Sequence, residues 1–176
     1  MNGAHALLDS LVNAGVEVCF ANPGTSEMHL VTAIGKPDNV RPVLCLFEGV
    51  VSGAADGYAR MSAKPAITLL HLGPGYANSM ANLHNARKAF SPVVNIVGDH
   101  AVWHHKYDAP LTSDVPGHAR LHSHWQRVSE SSEDLPLAGA EAVQAACDGW
   151  GKVATLIVPA NQPWEAADHT YDGPQP

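Results

Sequence analysis

Cysteine is scarce in this chain and never clustered. Cys19, Cys45 and Cys147 form an odd set with no CxxC pair, which argues against a disulfide framework or a thiolate zinc site and points to buried thiols. Basic residues are thin as well: ten Lys and Arg are scattered along 176 residues without a run, and the net charge is −7. Nothing here supplies the electrostatic footprint that nucleic acid or an anionic membrane requires. No apolar stretch reaches the length of a membrane span, and the start, MNGAHALLDSLVNAG, has no basic region ahead of an apolar core. A cytoplasmic protein is expected. Phosphate fingerprints are missing too, since neither GxGxxG nor GxxxxGK[ST] occurs, and this disfavours an ordinary nucleotide-binding domain. There is no internal repeat and no low-complexity tract.

What is present is a globular composition, 45% hydrophobic, sized for one domain with a buried core. Ala6, Leu7, Leu11 and Ala14 lie at helical spacing and predict a helix over 3–13, stopped by Gly15. A strand follows at 17–21, then the turn Asn22-Pro23-Gly24-Thr25-Ser26-Glu27, with Thr25 or Ser26 as N-cap of the next helix. After a turn at 36–41, the unbroken apolar run Val43, Leu44, Cys45, Leu46, Phe47 reads as a central strand covered on both faces. Lys64-Pro65 ends the helix that begins near Glu48, and a buried strand follows at 66–71. Leu72-Gly73-Pro74-Gly75 opens a helix reaching Phe90, and Ser91-Pro92 ends it before a strand at 93–97. Residues 98–124 lack periodicity and are rich in His, Pro, Asp and Gly, so they read as a functional loop or crossover. A short strand at 127–129, a helix over 139–150 and a strand at 153–158 complete the pattern. The alternation predicts an α/β fold, a doubly wound and mostly parallel six-stranded sheet flanked by helices on both faces. Residues 1–165 are expected to form the domain, and the polar tail 166–176 the start of an interdomain linker.

In such a sheet the carboxyl ends of the strands share one edge, which collects Asn22-Pro23-Gly24-Thr25, Glu48, His71 with Gly73-Pro74-Gly75, and Gly98-Asp99-His100. Each has a plain structural alternative. Glu48 could be a helix-start carboxylate worth about 0.3–1 kcal/mol against the helix dipole. Asn-Pro-Gly-Thr could be an ordinary turn. His71 could be a hydrogen-bonded structural histidine, and Gly73-Pro74-Gly75 could cradle a phosphate at a helix start. His118, His122 and His124 have chelating spacing, yet no acid or Cys completes a ligand set, and no metal is assigned. In the helix after Glu48, Gly49, Gly53 and Gly57 share one face, and each costs about 1 kcal/mol relative to Ala. Something is expected to lie close against that face: a second helix, a ligand or a partner subunit.

The stretch from Glu48 to Arg60 carries E-G-x-x-x-G-x-A-x-G-Y-A-R. It resembles the glutamate-bearing segment of the pyrimidine-binding (Pyr) domain of thiamine-diphosphate enzymes such as acetolactate synthase and benzoylformate decarboxylase. In that family the glutamate hydrogen-bonds N1′ of the cofactor's aminopyrimidine and favours the imino tautomer, whose N4′ removes the proton from C2 of the thiazolium. The activated C2 attacks a 2-oxo acid and then serves as electron sink for decarboxylation. A carboxylic acid suits the task because burial favours its neutral form and it can exchange a proton. The resemblance thus implies Glu48, His71 and Thr25 as catalytic residues. It implies cofactor contacts by Pro23, Gly24, Gly73, Pro74, Gly75 and Asn78 as well as Glu48.

Asn-Pro-Gly-Thr is similar to the N-P-G-S of benzoylformate decarboxylases, with Thr25 at the position of the active-site serine. His71 matches their L-H, where a histidine serves in proton transfer. Gly-Pro-Gly instead resembles acetolactate synthases, whose S-G-P-G has Ser where Leu72 stands, so the substrate stays open. His104-His105 is similar to the adjacent pair of pyruvate decarboxylases, with coincidence an equal alternative. The family holds the diphosphate and Mg²⁺ in a separate PP domain through G-D-G and a later N-N, and the chain has neither motif. The resemblance therefore implies the pyrimidine half of a thiamine diphosphate site, inactive until a PP domain is supplied in cis or in trans. It further implies a 2-oxo acid substrate and a homodimer or tetramer. A noncatalytic Pyr-like assembly module is the alternative, with Glu48 speaking against it.

Overall fold

Among the described residues six strands and six α-helices alternate, and every pairing between these strands is parallel. The computed structural model describes residues 1–36 and 40–171, so the middle of the turn expected at 36–41 and the last five residues of the tail lie outside it. The elements are α1 (Gly3–Asn13), β1 (Val18–Asn22), α2 (Met28–Ile34), β2 (Arg41–Leu44), α3 (Glu48–Ser62), β3 (Ala66–Leu70) and α4 (Leu72–Ala89). They continue with β4 (Val93–Asp99), α5 (Val115–His122), β5 (Trp125–Val128), α6 (Leu135–Cys147) and β6 (Val153–Pro159). Strand order is β2-β1-β3-β4-β6-β5.

Side chains alternate across the pleat and so feed two cores. Ile67, Leu69, Val94 and Ile96 pack with Leu7, Leu11, Leu30 and Val143 of α1, α2 and α6. On the other face, Leu70, Val93 and Val97 pack with Val51, Ala55, Leu83 and Ala119 of α3, α4 and α5. Burying each such Leu or Val contributes about 1.5–3 kcal/mol. The second face also carries a buried polar chain. Thr68 donates to Asn95 at 2.8 Å, Asn95 to Thr155 at 3.1 Å, and Ser123 bridges Thr155 to the fully buried Tyr76 at 2.6 and 3.2 Å. Each group finds a partner, so the chain fixes β3, β4, β6 and α4 in register without leaving a buried orphan.

Several expectations are corrected. The apolar run is not a central strand: β2 stops at Leu44, lies at the sheet margin paired only with β1, and leaves Leu44, Leu46 and Phe47 exposed. Cys45 follows β2 rather than lying in it, although it is buried as expected. Neither Thr25 nor Ser26 caps α2; they begin a 3-10 turn, Thr25–Glu27, whose cap is Gly24. The stretch 98–124 contains α5, obscured in sequence by Pro116, Gly117 and two histidines, His118 and His122. β5 begins two residues earlier than expected, and α6 starts at Leu135 behind Pro136 and ends at Cys147. Beyond residue 165, Ala166 bridges Asn2, Ala167 is buried, and the Tyr171 N–H donates to Ser10 Oγ.

The order of strands locates the site. From β1 the chain moves outward to β2, whereas from β3 it moves the other way to β4, so the loops leaving β1 and β3 diverge and open a crevice at the sheet's carboxyl edge.

Candidate active site at the carboxyl edge

Glu48 is the first residue of α3, entered from the extended Phe47, and its side chain turns inward. It is only 9% exposed. Oε2 accepts from Asn78 Nδ2 of α4 at 2.9 Å, and a methyl group added to Gly75 would lie 3.3 Å from Oε1. The two helices are tied together behind this contact. Ser52 Oγ donates to the Ser79 carbonyl at 3.1 Å and Asn82 Nδ2 to the Gly49 carbonyl at 2.6 Å. Close approach explains part of the glycine face, because a Cβ on Gly53 would meet Asn82 at 3.0 Å and one on Gly49 would strike the Phe47 ring. Gly57 meets nothing of this chain within 4 Å, so no helix lies against it among the described residues.

A second acid was not anticipated. Glu27, at the end of the 3-10 turn, is fully buried, and its Oε2 accepts from the Gly24 N–H at 2.7 Å and contacts His71 Nδ1 at 2.8 Å. Oε1 has no partner among the described residues. Burial pushes this carboxyl above its usual range, opposed by the Gly24 N–H and by His71. Two glycines make the arrangement possible. A Cβ on Gly98 would lie 1.7 Å from Glu27 Oε1, and one on Gly24 would lie 2.4 Å from the His71 ring. The local signal was Glu three residues after Gly24, a capping-box spacing.

His71 is the N-cap of α4, with its side chain 24% exposed. Leu72, next in the chain, adopts φ +48° while fully buried, a left-handed conformation that costs a non-glycine residue about 1–2 kcal/mol. The strained turn sets His71 on the crevice side. Gly73-Pro74-Gly75 is not an open phosphate cradle: Ser113 fills the space beside Gly73, and Glu48 with His71 fill the space beside Gly75.

Glu48, Asn78, Gly75, His71 and Gly24 therefore come together, with Pro23 half-buried next to Gly24. Thr25 stands exposed on the rim. His104 and His105 lie on an exposed turn, where His105 Nε2 reaches Asp99 at 3.2 Å. His118, His122 and His124 diverge: His122 faces the His84 ring, and His124 Nδ1 accepts from the Val153 N–H. Among the described residues no group of three His, Cys, Asp or Glu side chains could hold a metal ion.

Two clefts flank the cluster. One of about 530 Å³ runs between α3 and α4 along Phe47, Val50, Gly53, Asn78 and Ala81, and one of about 230 Å³ lies between Pro74 and Leu111. The largest of the described cavities, about 660 Å³, is at the opposite edge of the sheet. It is lined by Glu17, Arg60, Lys64, Phe90 and Trp150.

A parallel doubly wound domain with a buried acid at the switch point is a recognised class. Residues 1–126 match the thiamine pyrophosphate enzyme N-terminal TPP-binding domain, and the chain belongs to that family. It is 54% identical over 173 residues, 98% of its length, to a provisionally named acetolactate synthase large subunit, IlvX, of Mycobacterium tuberculosis, covering 33% of that protein. It is 32% identical to benzoylformate decarboxylase of Pseudomonas aeruginosa over 133 residues, 75% of this chain and 25% of that one. Among solved structures, the thiamine diphosphate-dependent 4-hydroxybenzoylformate decarboxylase of Rhodococcus jostii RHA1 superposes with a TM-score of 0.89 at 25% identity, over 96% of this chain and 32% of that one. The chain thus spans a quarter to a third of the length of these relatives. No helix among the described residues is long and apolar enough to cross a membrane.

Proposed function

We propose that the chain is the cofactor-activating Pyr domain of a thiamine-diphosphate-dependent 2-oxo acid decarboxylase or carboligase of acetolactate synthase type, and that Glu48 is the acid that engages the aminopyrimidine. One observation carries this: Glu48 is buried at the switch point, its carboxyl hydrogen-bonded to an amide and, among the described residues, ion-paired to neither Lys nor Arg. A purely structural buried acid is ordinarily paired with a cation.

The cluster fits the pyrimidine half of the cofactor. Glu48 Oε1 lies against Gly75, Asn78 holds the other oxygen, and the cleft beside Asn78 between α3 and α4 has room for a planar ring. When bound, thiamine diphosphate supplies an acidic C2 carbon and an electron sink for decarboxylation of the 2-oxo acid. Glu48 holds or releases a proton at Oε1. Asn78 fixes the carboxyl plane, and Pro23, Gly24, Gly73, Pro74 and Gly75 shape the walls. His71 moves a proton at Nε2 in later steps, and Thr25 lies where its hydroxyl would meet substrate at the rim.

The same proposal assigns the diphosphate and Mg²⁺ to a PP domain, in cis or in trans, without which the chain is inactive. It includes a cytoplasmic homodimer or tetramer. Supporting the assembly, Leu44, Leu46, Phe47 and Val50 form an exposed apolar patch beside Glu48. Residues 1–165 are assigned to the Pyr domain and 166–176 to the start of the linker, its first residues lying along α1. Calorimetric titration of thiamine diphosphate and Mg²⁺ into the chain joined to a PP domain tests the proposal. Saturable binding that is absent with the chain alone is expected; no binding to the joined protein would overturn it.

A further inference from the structure

The Glu27–His71 contact is not used by any step assigned above to Glu48. We propose that Glu27 is the positioning residue for His71: its carboxylate accepts the Nδ1 proton, fixes the ring in the Nδ1–H tautomer, and so leaves Nε2 as the nitrogen that exchanges protons in the crevice. This deepens the thiamine-diphosphate reading and rests on it for the role of the ring, but not for the tautomer.

Three observations support the assignment. First, an ionised carboxylate only accepts hydrogen bonds, and Oε2 already receives the Gly24 N–H at 2.7 Å, so the 2.8 Å contact to Nδ1 is satisfied when the imidazole donates. A neutral ring bound this way has its lone pair on Nε2, and no hydrogen bond among the described residues occupies that atom. Secondly, the acid is held against alternatives. The backbone of Gly98 closes over Oε1, the ring of His71 lies over Gly24, and a side chain at either glycine would break the pair. Thirdly, the groups facing the pair leave the charge of Glu27 to His71 alone. From the 3-10 turn comes the Gly24 N–H, from β4 the Gly98 backbone, and from α4 Gly75, whose Cβ side faces both His71 and Glu48; neither Lys nor Arg pairs with Glu27 among the described residues.

Burial raises the Glu27 carboxyl's affinity for a proton, so an imidazolium at His71 offsets what its charge costs. The pair then acts as a unit. With one proton it accepts at Nε2, and with two it donates there, while Glu27 never contacts substrate.

The test begins with the full 176-residue chain, without cofactor, labelled with ¹⁵N-histidine and read by long-range ¹H–¹⁵N correlation, with His71 assigned from a His71→Asn variant. Wild type at neutral pH is expected to show the Nδ1–H tautomer. Glu27→Gln keeps an oxygen acceptor and should retain it, whereas Glu27→Ala should release the ring to the Nε2–H form that free imidazole prefers. A wild-type ring in the Nε2–H form, or an unchanged tautomer in a folded Glu27→Ala chain, overturns the proposal. Should Glu27→Ala not fold, the wild-type and Gln spectra still decide.

In the enzyme assembled with a PP domain, Glu27→Ala should lower turnover by about 10-fold or more, out of the roughly 10²–10⁴ that a general acid–base group supplies. It should add nothing to the loss in His71→Ala. Additive losses would make Glu27 an independent structural acid. Failure of the thiamine-diphosphate reading would appear separately, as loss of cofactor binding by the wild-type assembly with the tautomer unaffected.

Discussion

The acids in the crevice at the carboxyl edge and those around the cavity at the amino edge have partners of opposite kinds. At the amino edge, around the cavity, Asp56 is clasped by Arg60 through two bonds of 2.8 and 2.6 Å, Glu17 pairs with Lys64, and Asp148 pairs with Lys152. Lys64 and Lys152 hold the Glu17 and Asp148 carboxyls below their ordinary range. In the crevice, among the described residues, Glu27 is held by a histidine and a backbone N–H and the Glu48 carboxyl by an amide. An acid locked to Lys or Arg stays ionised through the neutral range and has no proton to give, whereas one facing His or an amide can exchange. Cavity volume favours the amino edge, whereas the choice of partner favours the carboxyl edge, where we place the site.

The largest stability loss is expected from Gly98→Ala, since the new methyl would lie 1.7 Å from Oε1 and 2.5 Å from Cδ of Glu27, a side chain that is fully buried and held by Gly24 and His71. Overpacking of this kind costs about 1–3 kcal/mol, read by denaturant unfolding. Glu27→Ala in the same chain should recover part of it. Recovery without Glu27 removal would mean the carboxyl edge is looser than described.

Glu27→Gln is expected to act in the opposite direction. Burial raises this carboxyl in the folded state, so the folded chain binds more protons than the unfolded one and the residue's contribution to stability falls as pH rises above the ordinary carboxylate value. The amide removes that dependence, and the variant should melt higher than wild type at neutral pH but not in acid. Equal melting at both pH values would contradict it.

A smaller effect is expected under α5. Burial lowers His122 and His124, with Arg87 adding to both, His84 to the first and Lys152 to the second. The unfolded chain then binds more protons, so stability is lost as pH falls through the ordinary histidine range. His122→Gln should flatten part of that acid limb in thermal melts followed from pH 7.5 to 5.5. The smallest effect belongs to the amino edge: Glu17→Gln should barely move the melting temperature, because the Glu17–Lys64 pair is solvent-exposed. A large loss would show that the edges differ less than their pairing implies.

Much of this was legible in sequence, for reasons that also mark the limits. Strands β1, β3, β4 and β6 announce themselves as apolar runs bounded by turn residues, and the α/β alternation puts Glu48 and His71 on one edge. The run after Arg41 misled because hydrophobicity does not distinguish a buried strand from an exposed apolar patch, and Leu46 is 90% exposed. Glu27 escaped notice because its burial is enforced by Gly98, 71 residues away, on a strand that is not its neighbour in the chain. Its spacing from Gly24 suggested a helix start and nothing more. α5 is eight residues long, too short for its period to stand out against Pro116 and Gly117.

The central claim is that Glu48 is a proton-exchanging acid while the acids of the amino edge are structural. Hydrogen–deuterium exchange at C2 of thiamine diphosphate, bound to the chain joined to a PP domain, tests it most directly. Glu48→Gln should keep the fold and the cofactor yet slow exchange by about 10²-fold or more, since the amide can hydrogen-bond N1′ but cannot exchange its proton. Glu17→Gln should exchange at the wild-type rate. Wild-type exchange in Glu48→Gln would make Glu48 a structural acid and contradict the account.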